Sequence, residues 1–239
     1  MLHGTSESSA TPHRPQPPDP AQAQPPLESR VLAWDRKRKA FGPGDVIHHQ
    51  GDPVSRAYLI RGGLVKLLSY LPNGRVRIVR LHTRGAWLGL EGLLGHPYEH
   101  SAVAYDHVEV EHCSVAGLQR LQLEEPDMMN QVLAQWHRNL VEADRWIAEF
   151  STGAITLRVA RLLEYLAELD GHQPEGQLEL MRVHDVADIL GVTPESVSRI
   201  LAAFKRSQVL RRAPEPEAEV YQLDDGRLHQ EVRRMGEEL

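Results

Sequence analysis

Val183-His184-Asp185-Val186-Ala187-Asp188-Ile189-Leu190-Gly191-Val192-Thr193-Pro194-Glu195-Ser196-Val197-Ser198-Arg199-Ile200-Leu201-Ala202-Ala203-Phe204-Lys205 is the most informative stretch of the 239-residue chain. Val183, Val186, Ala187 and Leu190 recur at helical spacing and give a short helix with one apolar side. Gly191 permits a sharp turn, and Ala187 is small where a second helix must approach closely. Thr193 is an N-cap, Pro194 fits the first helical position, and Glu195 places negative charge in the first turn. Val197, Ile200, Leu201 and Phe204 form the inward face of that second helix. Spacing, small residue and caps together predict a helix-turn-helix.

Charge supports this reading locally. From Arg182 to Arg212 six basic residues stand against three acidic ones, a net of +3 in a chain whose formal charge is −6. The outward face of the second helix carries Glu195, Ser196, Ser198, Arg199 and, further on, Lys205. Arginine can hold guanine bidentately and glutamate can accept from the cytosine amino group. Hydroxyls, Thr193 included, serve phosphates or bases. Glu195 and Arg199 can equally form a plain surface ion pair across one helical turn. Double-stranded DNA is the partner these residues predict.

Downstream, Val209–Arg212 and Glu219–Leu223 read as strands around an acidic turn, a wing; 224–239 reads as a charged helical tail. Upstream, a helix runs from about Ala154 to Leu169, ended by Gly171 and Pro174. Before it, Met129, Leu133, Trp136, Leu140, Ala143, Ile147 and Phe150 follow at alternating spacings of 4 and 3. That heptad seam is the pattern with which two helices pack along their length. It predicts a homodimer. Met128, Val132 and Trp146 make a second stripe that can touch the chain's own β domain.

Residues 27–123 change period. Turn signals at Gly42-Pro43-Gly44-Asp45, Gly51-Asp52-Pro53, Arg61-Gly62-Gly63 and Pro72-Asn73-Gly74 recur about every ten residues. Between them Ala57–Ile60, Leu64–Tyr70 and Val76–His82 are rich in β-formers, which predicts a sandwich or barrel. The segment 1–26 holds seven of the 16 prolines and almost no large apolar residue, so it is read as a disordered leader. The expected organisation is leader 1–26, β domain 27–123, long helix 124–152, winged helix-turn-helix 153–223 and tail 224–239.

Composition bounds the rest. Hydrophobic residues make up 41% of the chain, enough for a packed core. No run approaches a membrane span, and the start lacks the apolar region of a secretory signal, so a soluble cytoplasmic protein is expected. Cys113 is the single cysteine; it excludes an intramolecular disulfide and is a candidate redox thiol or a packed strand residue. No P-loop and no nucleophile–base–acid constellation is readable, so the protein is read as a non-enzyme. A metal site is not predicted, although His96, His100, His107 and His112 lie near Cys113 in sequence and leave haem open.

The order β-roll, long helix, winged helix-turn-helix resembles the Crp/Fnr family of bacterial transcription regulators. The resemblance spans about residues 35–223. It rests on Gly44-Asp45, His49-Gln50-Gly51-Asp52, Tyr58-Leu59-Ile60-Arg61-Gly62, Asn73-Gly74-Arg75, Leu88-Gly89-Leu90-Glu91-Gly92, Ile189–Thr193 and Glu195–Arg199. It implies an α+β fold whose N-terminal part is a cyclic-nucleotide-binding-like jelly roll. Within the family, the cyclic-AMP branch holds its ligand with a glutamate after a glycine and with an Arg-Ser pair. Here Leu90 stands at the glutamate position beside Glu91, and His100 stands at the arginine position beside Ser101. These four residues mark the candidate effector pocket, without the fork a phosphate requires. The oxygen-sensing branch needs an N-terminal cysteine cluster that this chain lacks. Glu195, Ser198 and Arg199 nevertheless match that branch's Glu-x-x-Ser-Arg pattern, which implies half-sites like TTGAT read by the helix Thr193–Arg206. The resemblance also implies RNA polymerase as a partner if the protein is an activator.

The expectation is therefore a homodimeric, sequence-specific DNA-binding regulator, with a signal at the β-roll. The alternatives are a cyclic-nucleotide-responsive regulator with a variant pocket and a cupin-like metalloenzyme. In the second case the adjacent His48 and His49 point to opposite faces of a strand, which does not suit a metal. Cofactors are not predicted, with haem or a small-molecule effector left open.

Overall fold

The computed structural model describes residues 37–124, 127–169, 177–213 and 220–237. The proline-rich leader and most of the acidic turn of the wing lie outside them. Eight strands come first: β1 (Lys37–Phe41), β2 (Val46–His48), β3 (Arg56–Gly62), β4 (Val65–Tyr70), β5 (Val76–His82), β6 (Trp87–Leu88), β7 (Ser101–Ala104) and β8 (Val108–Ser114). They form two antiparallel four-stranded sheets, β1-β8-β3-β6 and β2-β7-β4-β5. Their inner faces bury Phe41, Ile60, Val65, Ala102, Val108 and Val110 between them. A short 3-10 helix, Leu90–Leu94, follows β6 and is entered through Gly89 at φ 80°. A Cβ on Gly89 would meet the Arg56 carbonyl oxygen at 2.6 Å, so backbone approach as well as φ requires glycine there.

The β-roll ends in a helix that the pattern reading did not contain, α1 (Val115–Glu124). Its start is marked by Ser114, whose Oγ accepts from the Gly117 amide at 3.0 Å, an N-cap signal hidden at the end of a strand. Then come the long α2 (Asp127–Phe150), α3 (Ile155–Glu168), α4 (Val183–Leu190), α5 (Pro194–Arg206) and α6 (Asp225–Glu237). The wing strands β10 (Leu210–Arg212) and β11 (Val220–Leu223) are joined by β9 (Gln177–Glu179), giving the sheet β10-β11-β9. α6 is not a detached tail. Leu228 is buried in the core shared by α3 and α5, with Val232 packed at its edge.

A β-bulge decides which way β5 faces. Leu67 pairs with Arg80 while the next residue, Leu68, pairs with Ile78, so Val79 is the extra residue. Strict alternation would separate Ile78 and Leu81, three apart. The bulge resets the phase, and both enter one core with Trp146, Phe150 and the apolar faces of α3, α4 and α5. The β-roll thus keeps its own core between the sheets, while Leu64, Ile78 and Leu81 join a second core shared with the C-terminal half. One apolar cluster runs from Leu64 through Phe150 to Phe204.

Candidate nucleic-acid interface and the cavity behind it

The turn between α4 and α5 is built as its residues dictate. Gly191 closes α4 in the left-handed region at φ 65°, and its amide donates to the Ala187 carbonyl. Thr193 then takes extended backbone, and its Oγ1 accepts from the Ser196 amide at 3.4 Å. Val197, Ile200, Leu201 and Phe204 are buried, which fixes the rotation of α5 and leaves the opposite face outward.

On that face Thr193, Glu195, Ser198 and Arg199 are exposed. Glu195 and Arg199 form no ion pair with each other among the described residues, so both heads are available. Ser196 is half-buried and its hydroxyl sits 3.1 Å from that of Thr193, which ties it to the cap. Lys205 lies over the Tyr221 ring at 4.6 Å, a cation–π contact that holds its stem on the wing. Arg206 and Arg212 are exposed beside it, while Arg211 is taken by Asp224 at 2.7 Å. The surface around α5 thus joins an exposed Glu/Ser/Arg set to a basic flank, the charge arrangement that suits a DNA major groove and its phosphates.

The helix-turn-helix is docked on the β-roll. Lys66 of β4 pairs with Asp185 of α4 at 2.6 Å, their side chains only 14% and 11% exposed. Arg77 of β5 donates to the Ile189 carbonyl at 3.0 Å, and Arg158 of α3 donates to the Leu190 carbonyl. These carbonyls are among the last of α4 and lack helical partners, so two guanidinium groups satisfy its negative end. The Tyr105 hydroxyl accepts from the Arg182 amide at 3.3 Å.

On α2, the expected seam divides. Leu133, Leu140 and Ile147, seven residues apart, are 51%, 61% and 60% exposed. Ala143 is half-buried, and the Met129 side chain lies outside the described residues. Trp136 instead packs against the cluster of Ala57, Leu59 and Trp87. Phe150 is buried edge-on against Trp146 at 4.8 Å between ring centres. Those two positions therefore serve the chain's own core. The division follows the two rows of the seam: Trp136, Ala143 and Phe150 are spaced by seven on the covered side, and Leu133, Leu140 and Ile147 by seven on the exposed side.

Behind the sheets lies a cavity of about 360 Å³, lined by Arg80, His48, His82, His100, Leu90 and Glu91 among others, and closed by Trp136, Asn139 and Leu140 of α2. Of the four expected pocket residues, Leu90, Glu91 and His100 line it. Ser101 does not; its buried hydroxyl accepts from the Gln50 amide at 2.9 Å. The expectation of a pocket without a guanidinium is also corrected, because Arg80 supplies one from β5 rather than from the loop before β7. Sequence reasoning missed Arg80, His48 and His82, since side-chain direction in β5 depends on the Val79 bulge. Burial holds His48 and His82 down to about 4, Arg80 and His100 adding to it at His82, so both are neutral near pH 7. Burial likewise raises the Glu91 carboxyl above the usual range.

Cys113 is buried in β8 beside Ala57 and Leu59, in the packing role rather than an exposed redox one. His96 and His100 line the cavity, His112 lies against Tyr58, and His107 is exposed at a turn. Among the described residues no three His, Cys, Asp or Glu side chains are grouped to hold a metal, and no helix is long and apolar enough to cross a membrane.

Known proteins share this arrangement. The cyclic nucleotide-binding domain family matches residues 38–124, and the Crp-like helix-turn-helix domain family matches residues 158–228. The chain is 27% identical over 196 residues to the transcriptional regulator LdrP of Thermus thermophilus, covering 81% of this chain and 96% of that protein. It is 25% identical over 179 residues to the nitrogen fixation regulation protein FixK of Rhizobium meliloti, covering 75% and 80%. A solved CRP-family transcriptional regulator, also of Thermus thermophilus, superposes with a TM-score of 0.68 at 26% identity, over 82% of this chain and 96% of that one. FixK2 from Bradyrhizobium japonicum has the same fold, with a TM-score of 0.71 at 23% identity over 82% and 96%.

Proposed function

The chain belongs to the Crp/Fnr family of DNA-binding transcription regulators, and from that premise we propose that it acts as a homodimer on a palindrome with TTGAT-like half-sites. The observation that carries this reading is the exposed set Glu195, Ser198 and Arg199 on a capped α5 whose opposite face is locked in the core. Arg199 reads a guanine, Glu195 a cytosine amino group, and Ser198 a base edge or phosphate. Arg206, Arg212 and Lys205 supply the salt-dependent grip on the backbone. The relatives are transcriptional regulators rather than enzymes, and the protein is read as one of them.

Selection from a random duplex library, with purified protein in reducing buffer, tests the site. A TTGAT-like palindrome is the expected product. On that palindrome Arg199→Ala will cost about 1–3 kcal/mol and relax specificity at one guanine. Unchanged affinity for both the palindrome and scrambled DNA would remove α5 from the role of reader.

The exposed stripe Leu133, Leu140 and Ile147 supports pairing of two α2 helices, and two-fold symmetry then sets the recognition helices about 34 Å apart. Leu140→Glu puts like charges face to face in such a seam. It should shift the protein from dimer to monomer in sedimentation and reduce palindrome binding at least tenfold. A variant that stays dimeric with normal affinity would rule out this stripe as the interface.

A further inference from the structure

We propose that Arg158 is the positioning residue that sets the angle between α2 and the reading helix α5, and through it the half-site spacing that the dimer accepts. This deepens the dimer reading above and rests on it. Arg158 stands half-buried in the first turn of α3. A cation there faces the positive end of its own helix, so α3 itself gains nothing from the charge. What Arg158 holds lies outside α3. Its Nε donates to the carbonyl of Phe150, the last residue of α2, at 2.7 Å. Its Nη2 donates to the carbonyl of Leu190, the last residue of α4. Helix-final carbonyls such as these lack partners within their own helices. One planar guanidinium therefore ties together the negative ends of α2 and α4. Burial and the like charge of Arg77 both oppose its ionised form, and no carboxylate among the described residues offsets them. Arginine stays charged regardless, so its bonds are to carbonyls alone.

The covalent link does not fix this angle. Residues 151–154 join α2 to α3, with Gly153 in the left-handed region at φ 89°, where glycine has wide freedom. Trp146 and Phe150 pack against Tyr165 and hold the two helices together, but apolar burial is non-directional. The fork of Arg158 is directional, because its donors lie in one plane at fixed angles. Leu190 is followed at once by Gly191 and the turn into α5, so placing the end of α4 places the start of α5. Arg77 holds the neighbouring Ile189 carbonyl from β5, and a Cβ on Gly191 would run into its guanidinium. The dimer helix, the β-roll and the helix-turn-helix thus converge on two adjacent carbonyls. Two-fold symmetry repeats any tilt of α5 on the partner subunit, so a small change of angle alters the separation of the reading helices twice over.

The test has two readouts. A nitroxide on Arg206→Cys, with Cys113→Ala, reports by dipolar spectroscopy the distance between the two copies of α5 in the full-length protein without DNA. The parent should give one narrow distribution. Arg158→Gln and Arg158→Lys should each broaden it or move its centre by several ångström. Lysine keeps the charge, but an ammonium on a flexible stem fixes no direction, so it carries the test where glutamine costs too much stability. Leu228→Ala opens a cavity in the core around α3 and α5. It is the control for lost stability alone and should leave the distribution as in the parent. In the second readout the selected half-sites are separated by the selected spacer or by one base pair more or fewer, each step turning one half-site by about a tenth of a turn. The parent should prefer the selected spacer about tenfold, and the Arg158 variants about threefold or less, with single half-site affinity unchanged within about twofold. The inference fails if both Arg158 variants keep the parent's distance distribution and spacing preference, or if Leu228→Ala alters them as much. Absence of any distance between subunits would instead overturn the dimer reading, and the inference with it.

Discussion

Lys66→Met will destabilise the folded chain by about 3–5 kcal/mol, because it strands the Asp185 carboxylate in a site where water barely reaches. The pair joins β4 to α4 at 2.6 Å with both side chains almost covered. Methionine fills the space of the lysine stem and supplies no charge, so the loss falls on the carboxylate rather than on packing. Making both halves of the pair apolar, Lys66→Met with Asp185→Leu, should recover most of the loss, since no buried charge then remains. Urea unfolding of the single and double variants measures the difference. A single variant within about 0.5 kcal/mol of the parent, the scatter of ordinary surface substitutions, would mean that the pair is solvated and does not hold the halves together. Because Leu64, Ile78 and Leu81 share a core with α3, α4 and α5, the parent should unfold in one transition followed alike by tryptophan fluorescence and by circular dichroism. The same docking fixes how α5 is presented. Loosening Lys66 should therefore weaken binding to the selected palindrome as well as lowering stability.

The helix-turn-helix was legible in the sequence because its information is local. Gly191, Thr193 and Pro194 each specify one backbone conformation, and the apolar spacing of α4 and α5 identifies their inner faces. The strands β3, β4 and β5 were legible within a residue or two for a similar reason, their ends being set by turns. What the sequence hid was non-local. β9 is only three residues long and earns its place by pairing with β11. α6 read as a charged tail because its inner face rests chiefly on Leu228 and Val232, too few apolar positions for a clear stripe. On α2 the heptad pattern did not distinguish Trp136 and Phe150, which pack against the chain's own clusters, from Leu133, Leu140 and Ile147, which are exposed, since periodicity names a face without saying which neighbour covers it. For the cavity, the family motif directed attention to Leu90 and His100, while the cation comes from Arg80. Its direction follows from a bulge that only pairing with β4 reveals.

The cavity histidines make acid the second large effect. An unfolded chain protonates histidine near pH 6.5, but in the folded chain His48 and His82 resist protonation until about pH 4. Between those two pH values the unfolded state therefore binds more protons, and stability must fall as pH falls. Above about pH 7 both states are neutral and the two residues add no pH dependence. At the bottom of the window each contributes a loss of about 3 kcal/mol, since every pH unit crossed between the two values costs about 1.36 kcal/mol per histidine. Other groups act in the same range with the opposite sign: burial raises the carboxyls of Glu91, Glu164 and Asp188, and their protonation favours the folded state. The decisive quantity is thus a difference between variants rather than the slope of the parent alone. His48→Gln and His82→Gln remove the titration while keeping a polar side chain of similar reach. The double variant should lose far less stability than the parent between pH 6.5 and 4, as read by urea unfolding at several pH values. Parallel curves for parent and double variant would show that water enters the cavity freely enough to charge both rings in place. In that event the ring nitrogens of His48 would be hydrated within the folded chain.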